Sequence, residues 1–373
     1  MATFPSHDGD VATDVLSTRQ LNRALLARQL LLERVELDAV AAVGHVAGVQ
    51  AQEPTNPYVG LWSRLAGFDP VELGRRLEDR TLVRSACLRT TIHLVTADDC
   101  LTMWPLSRPT RQRELTAHRD FAPILASIDV EPVLDFARAY LVEPRTQREL
   151  RAALQERFPG VDPGALTLAI RNLLGIVQAP PRGVWGKRSQ VIPVLIESWL
   201  GRPLHADPSA DDLVLRHLAA FGPATPADVN VWCRIPGMAA VLERLAPKLR
   251  TFHDERGRTL WDVADGLLPD ADTPAPPRFL PEYDNVLLSH ADRSRIVPPD
   301  LGPGLALASS PWRGWVLLDG MLRAVWHLDG DVVEVRHAGR TSMASQRAIE
   351  REGHDLARFL GVDEPGVRVV AAG

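Results

Sequence analysis

Three times along the chain, paired helix signals give way to a run with period-two alternation, and this repeated order restricts the fold more than any other feature. In the first copy, Ser17 and Gln20 form a capping-box pattern ahead of a helix expected to run to about Glu33. Helices are also expected over Asp38 to Val49, from about Asn56 with Tyr58, Leu61, Trp62 and Leu65, and over Pro70 to Asp79. Thr81 to Val95 is rich in strand formers and lacks a helical stripe, so it reads as a β-hairpin. In the second copy, Thr146 with Glu149 caps a helix through about Phe158, Pro159-Gly160 breaks it, and Asp162-Pro163 opens the helix Gly164 to Leu174. Strands follow at Ile176 to Gln178 and near Val191 to Leu195, about a turn at Pro180 to Gly183. The third copy places helices at Leu213 to Phe221, after Thr225-Pro226, and at Gly237 to Leu249, then a hairpin over Phe252 to Val263. Residue identity between copies is weak, so what repeats is architecture.

Helix, turn, helix and β-wing is the winged-helix order. The expected fold is therefore α+β and mostly helical: three tandem winged-helix units with a β-rich C-terminal segment. The boundaries read as a disordered acidic tail (1–14), units at 15–120, 121–205 and 206–266, a Pro-rich linker (267–281), and a C-terminal part (282–373). In that last part Asp319-Gly320 and Asp329-Gly330 separate three meander strands, Trp315 to Leu318, Met321 to Leu328 and Val332 to Arg336. An amphipathic helix over about Met343 to Leu360 follows.

Composition excludes several classes. No stretch of about 18 apolar residues suggests a membrane span, and the first residues lack the basic start and apolar run of a signal peptide. Cys87, Cys100 and Cys233 form no CxxC, which argues against a disulfide framework or a Cys-based zinc site and fits a reducing cytoplasm. Cys87 and Cys100 sit in apolar surroundings and read as buried packing residues. His290 with Asp292 gives two potential metal ligands without partners at zinc-like spacing, so no metal is expected. No Walker loop, dinucleotide fingerprint or GxSxG elbow occurs, and no cofactor is expected. The net charge is −5, but it is unevenly spread. Arg171, Arg182, Lys187 and Arg188 lie in an acid-free stretch, and acids collect over Asp207 to Asp212 and Asp262 to Asp272. A basic groove on an acidic body fits these numbers.

Three blocks carry a resemblance. Gly48-Val49-Gln50-Ala51-Gln52 precedes Tyr58-Val59-Gly60-Leu61-Trp62-Ser63-Arg64-Leu65. The hairpin block runs from Val83-Arg84 through Arg89-Thr90-Thr91-Ile92-His93-Leu94-Val95. The third runs from Leu280-Pro281-Glu282-Tyr283-Asp284-Asn285 through Ser289-His290-Ala291-Asp292-Arg293-Ser294-Arg295-Ile296. In this order they resemble the AlkZ/YcaQ DNA glycosylase superfamily, and Gln52, where the YcaQ branch has Asp, places the chain with the AlkZ-like branch. The resemblance implies tandem winged-helix units forming a positive, DNA-sized concavity. It also implies monofunctional excision of N7-alkylated purines from duplex DNA, with bulky adducts and interstrand crosslinks as candidate substrates. A cytoplasmic, nucleoid-associated monomer is expected.

The chemistry is consistent with glutamine. An N7-alkylguanine is already cationic and leaves without a general acid, so the enzyme must hold water at C1′ and stabilise a cationic sugar. A carboxamide oxygen can accept from that water while its nitrogen donates to phosphate or substrate. Gln50 and Gln52, at i and i+2, share a side if the preceding helix has ended. Glutamine is no useful general base, which restricts such a pair to activated lesions. Alternatively the two glutamines simply cap a helix end. Glu53, otherwise a loop carboxylate, is the more conventional base.

In the hairpin, alternation puts Arg89, Thr91 and His93 on one face and Leu88, Thr90, Ile92 and Leu94 on the other. The polar face would line the site, with His93 contacting phosphate or orienting the lesion, unless it is a satisfied structural histidine. Arg84 and Arg89 are candidate phosphate ligands, against salt bridges to Asp79 or Asp98. Arg182, Lys187 and Arg188 around Trp185 suit backbone contact, against a solvated wing tip. Arg108, Arg111 and Arg113 form a similar cluster. In the third block a structural network is expected, with His290 and Arg293 as candidate DNA contacts. The rival functions are a winged-helix regulator and a protein that sequesters a genotoxin directly. Against the regulator, the helix Gly164 to Leu174 offers mainly Arg171 and Asn172 for base reading.

Overall fold

A computed structural model describes residues 15–301 and 314–371. The fold is mixed α+β, with three sheets among the described residues. The capping boxes expected at Ser17 and Thr146 form, and a third, between Thr225 and Asp228, opens the helix expected after Thr225-Pro226. Helix ends differ from expectation, and the difference matters for the site. The first helix covers Thr18–Arg28 rather than reaching Glu33. Leu30 turns left-handed (φ 56°), and the Leu30 and Leu31 amides reach back to the carbonyls of Ala27 and Leu26 at 3.1 and 2.8 Å. This is a Schellman closure. The second helix, Ala39–His45, ends in the same way. Ala47 (φ 56°) and Gly48 (φ 91°) return their amides to Gly44 and Val43. A Cβ on Gly48 would lie 2.9 Å from Val95 Cγ1, so glycine is needed both for the turn and for the close approach. The chain thus leaves the helix as a strand, Val49–Gln50.

That strand edges a five-stranded sheet. The order is Val49–Gln50, Thr91–Thr96, Leu82–Leu88, Ile176–Gln178 and Pro193–Leu195. The hairpins expected in the first two copies therefore share one sheet, joined where Ser85 faces Val177. In the first hairpin Arg89 and Thr90 are both left-handed (φ 53° and 59°), so the expected alternation is interrupted by the turn itself. The third hairpin, Leu249–Asp254 with Thr259–Val263, gains Val15–Leu16 as a parallel edge strand.

Four helices between the first two copies have no clear signal in the sequence: Ala97–Leu106, Arg108–Ala117, Ala122–Ala126 and Glu131–Tyr140. Prolines 105, 109, 123 and 132 mask them, although the last three sit in first turns, where proline is tolerated. The meander forms as Gly314–Leu318, Met321–Asp329 and Val332–His337, with the helix Met343–Phe359 after it. Arg278–Pro281, read as the end of a linker, is instead a strand of this sheet, and Gly366–Ala371 closes the other edge in parallel. The acidic tail at 1–14 lies outside the described residues. Cys87 and Cys100 are buried, as expected. Among the described residues no helix is long and apolar enough to cross a membrane, and no cluster of three His, Cys, Asp or Glu could hold a metal ion.

Two buried ion pairs fix the relative placement of distant segments. Arg28 grips Asp262 with Nη1–Oδ1 at 2.6 Å and Nη2–Oδ2 at 2.9 Å. Arg64 grips Asp284 through two hydrogen bonds of 2.9 Å, both side chains 2% exposed. Asn56 adds a bond to the Glu282 carbonyl at 2.6 Å. The helix Asn56–Trp62, directly after the glutamines, is thereby clamped to the third block.

Candidate active site around Gln50 and Gln52

The three blocks, more than 190 residues apart at their ends, close on one buried guanidinium. Arg89 Nη2 donates to Gln50 Oε1 at 2.9 Å and to Asn285 Oδ1 at 2.8 Å, and lies 3.2 Å from His93 Nε2. Its Nη1 donates to the Trp232 carbonyl at 2.7 Å. Asn285 Nδ2 in turn donates to the Gly48 carbonyl at 3.0 Å, next to the helix closure that launches the glutamine strand. The left-handed turn at Arg89–Thr90 directs a side chain inward that a hairpin tip would normally leave in water. Two adjacent non-glycine residues there cost on the order of 1 kcal/mol each or more.

Arg89 has only neutral partners, and burial followed by repulsion from Arg234 lowers its pKa to about 10. The His93 tautomer follows from its neighbours. The Thr91 carbonyl, 2.9 Å from Nδ1, can only accept, so Nδ1 carries the hydrogen and Nε2 faces Arg89 as an acceptor. Burial, reinforced by Arg89, lowers the His93 pKa to about 3, so the ring stays neutral.

The two carboxamides are oriented by groups that can only donate. Gln50 lies opposite His93 in the sheet, is 6% exposed, and turns Oε1 to Arg89. Gln52 is exposed and its Oε1 accepts from the Ile92 amide at 3.3 Å. The intervening Ala51 is held by the Ile92 carbonyl and by Arg84 Nη2, which donates to its carbonyl at 2.8 Å. Both amide nitrogens are thus turned away from these anchors. Each oxygen has one lone pair occupied and one remaining.

Several expected contacts are corrected by burial. Arg84 is 1% exposed and its pKa falls to about 10 through burial and the charge of Arg182, so it braces Ala51 and cannot reach a phosphate at the surface. His93 is fully buried and anchors Arg89 rather than touching DNA. His290 is 2% exposed, 3.1 Å from the Phe221 carbonyl through Nε2, and faces the interior. Trp185 packs between Tyr58 and Phe359 at ring-centroid distances of 4.8 and 5.3 Å, so it is a packing residue. Lys187 pairs with Glu78 at 2.9 Å. Arg111 is buried under Trp104, 3.7 Å from the ring centroid. Thr91 is half-buried, its hydroxyl donating to the Leu88 carbonyl at 3.2 Å. Arg182 is half-buried and donates to the Ser189 carbonyl at 2.9 Å. Arg188 and Arg293 are exposed. Glu53 lines a cavity of ≈ 390 Å³ with Asn56, Glu282 and Trp326, and its charge acts on Arg84, which braces Ala51.

Residues that sequence reasoning missed include Asn285, which it read only as part of a polar network, and the Trp232 carbonyl. No local pattern links either to Gly48 or Arg89. Arg148 and Arg151 were also missed. They line an open groove with Arg182, Gln147 and Gln190, and only their i, i+3 spacing on one capped helix hinted at it.

Comparison with known proteins identifies the family and the fold. Over residues 43–359 the chain matches the family model described as DNA glycosylase AlkZ-like, a span that contains all three blocks. It is 26% identical over 384 aligned positions to an "Interstrand DNA cross-link repair glycosylase" of Streptomyces sahachiroi, covering 95% of this chain and 99% of that protein. The solved structure of the Streptomyces sahachiroi DNA glycosylase AlkZ superposes with a TM-score of 0.79 at 21% identity, over 95% of this chain and 100% of the other, and so shares the fold. With its glutamine strand, hairpin and third block all inside the matched span, the chain belongs to the AlkZ-like DNA glycosylase family.

Proposed function

We propose that this protein is a monofunctional DNA glycosylase that hydrolyses the N-glycosidic bond of cationic, N7-alkylated purines in duplex DNA. The observation that carries the reading is the anchoring of both carboxamides by obligate donors, Arg89 Nη2 on Gln50 and the Ile92 amide on Gln52. Anchoring restricts the rotation of each amide, and preorganised dipoles stabilise developing charge without reorganising. The remaining oxygen lone pairs would accept from the attacking water, and the amide nitrogens would donate to the sugar-phosphate. With its pKa lowered to about 3, His93 is too weak a base to serve here, and glutamine is none. That restricts the chemistry to bases that already carry charge and leave readily.

The helix-helix-hairpin order in residues 18–96, 147–195 and 210–263 supports three tandem winged-helix units presenting the site to DNA. Exposed Arg188 and Arg293 are proposed backbone contacts. The cross-link glycosylase relative makes crosslinked or bulky N7 adducts the natural extension of the substrate range. The test is incubation with duplex containing N7-methylguanine. Wild type releases the base, whereas Gln52→Ala binds the duplex and releases none at a comparable rate. Binding of the duplex by wild type without release rejects the proposal.

A further inference from the structure

The strained turn that sends Arg89 inward leaves Thr90 on the opposite side, at the edge of a shallow cleft of ≈ 380 Å³. Its lining comes from three separate elements. The hairpin tip gives Thr90, the helix Arg108–Ala117 gives Thr110, Arg113 and Glu114, and the end of the helix Pro226–Cys233 gives Asn230 and Arg234. Arg234 caps that last helix in a left-handed conformation (φ 57°), which projects its side chain beyond the helix end. Thr110 Oγ ties the two walls together by donating to the Arg234 carbonyl at 2.5 Å.

The charge in this cleft does not cancel. Its single acid, Glu114, is already engaged by Arg171 Nη2 at 2.8 Å. Arg113 and Arg234 are exposed and form no ion pair with any described residue. Arg234 also lies near enough to repel the buried charge of Arg89, which itself has no counter-ion. Two unpaired guanidinium groups and an exposed amide are the donor set of an oxyanion site, the hydroxyls of Thr90 and Thr110 being already spent on the Arg89 and Arg234 carbonyls, and guanidinium meets phosphate with two parallel bonds. The location fits a strand running past the glutamines. Thr90 is three residues from His93, the partner of Gln50, or ~10 Å along the hairpin. At ~3.4 Å of axial rise per phosphate that is roughly three nucleotides.

We propose that this cleft binds a backbone phosphodiester of the DNA strand that flanks the lesion, with Arg113 and Arg234 as its ligands. The assignment rests on the DNA-directed reading above but not on catalysis. It is therefore tested on undamaged duplex. Affinity of the full chain for a labelled duplex is measured by anisotropy between about 50 and 200 mM salt, where phosphate neutralisation dominates the salt dependence. The Arg113→Gln/Arg234→Gln double variant should weaken binding and flatten the plot of log K against log salt by ~0.9 for each phosphate it no longer neutralises. Arg113→Lys, which keeps the charge, should retain the slope of wild type. A double-variant slope equal to wild type overturns the inference, as does a wild type that fails to bind duplex at low salt. If the slope falls as expected but wild type excises no N7-methylguanine, the phosphate site stands and the glycosylase reading falls.

Discussion

Replacing Arg89 with methionine separates its structural role from its role at the site. The substitution removes the donor from four acceptors: Gln50 Oε1, Asn285 Oδ1, His93 Nε2 and the Trp232 carbonyl. At roughly 1–2 kcal/mol for each acceptor left unpaired, the destabilisation is on the order of 4–8 kcal/mol. The same substitution abolishes a guanidinium buried without a counter-ion, whose desolvation costs several kcal/mol. The two effects oppose each other, and the folded protein should lose no more than ~3 kcal/mol. Gln50 has no comparable compensation. Its anchoring bond to a charged donor is worth about 1.5–3 kcal/mol, and losing it frees the carboxamide to rotate. If that energy holds the amide in its reactive orientation, the excision rate falls ~10- to 150-fold. The assay is single-turnover release of N7-methylguanine with protein in excess, alongside a thermal melt of the same preparation. Arg89→Lys should fall between methionine and wild type, since an ammonium can serve some of the four acceptors but not in the same fork. A folded methionine variant that excises within about twofold of wild type would refute the anchoring argument.

Other expectations follow from the buried groups. Arg64→Met leaves the Asp284 carboxylate buried without its partner, and should cost ~3–5 kcal/mol in a urea titration. The buried histidines make the fold acid-sensitive. The pKa values of His93 and His217 lie at about 3 and about 4, below the unfolded value, so the unfolded chain binds protons first. Stability should be complete above pH ~6.5 and fall by up to ~1.4 kcal/mol per pH unit for each histidine as pH drops toward those values. Over pH ~6.5 to ~8, where His93 stays neutral, excision should not show a histidine-like inflection; an inflection near ~6.5 that disappears in a His93 variant would count against its assigned state. Thr90→Gly should raise the melting free energy by up to ~1 kcal/mol by relieving the left-handed backbone, and an unchanged melt would show that the turn carries no such strain.

Local order was determined largely by the sequence on its own. Capping boxes at Ser17, Thr146 and Thr225, turn dipeptides at Asp319-Gly320 and Asp329-Gly330, and period-two runs specify helices and hairpins through interactions within a few residues. The pair Gln50 and Gln52 and the three family blocks were legible for the same reason, because they are local strings. Only the tertiary structure decided which arginines are buried and which face solvent. Arg84, Arg89 and Arg111 are buried while Arg113, Arg188 and Arg234 are exposed, yet all are the same residue type in similar local sequence. What distinguishes them is the neutral acceptors that meet them in space: the Ala51 carbonyl for Arg84, and Gln50, Asn285 and the Trp232 carbonyl for Arg89. Those partners come from elements up to 196 residues away, and hydrogen-bond satisfaction across such separations leaves no periodicity to read along the chain.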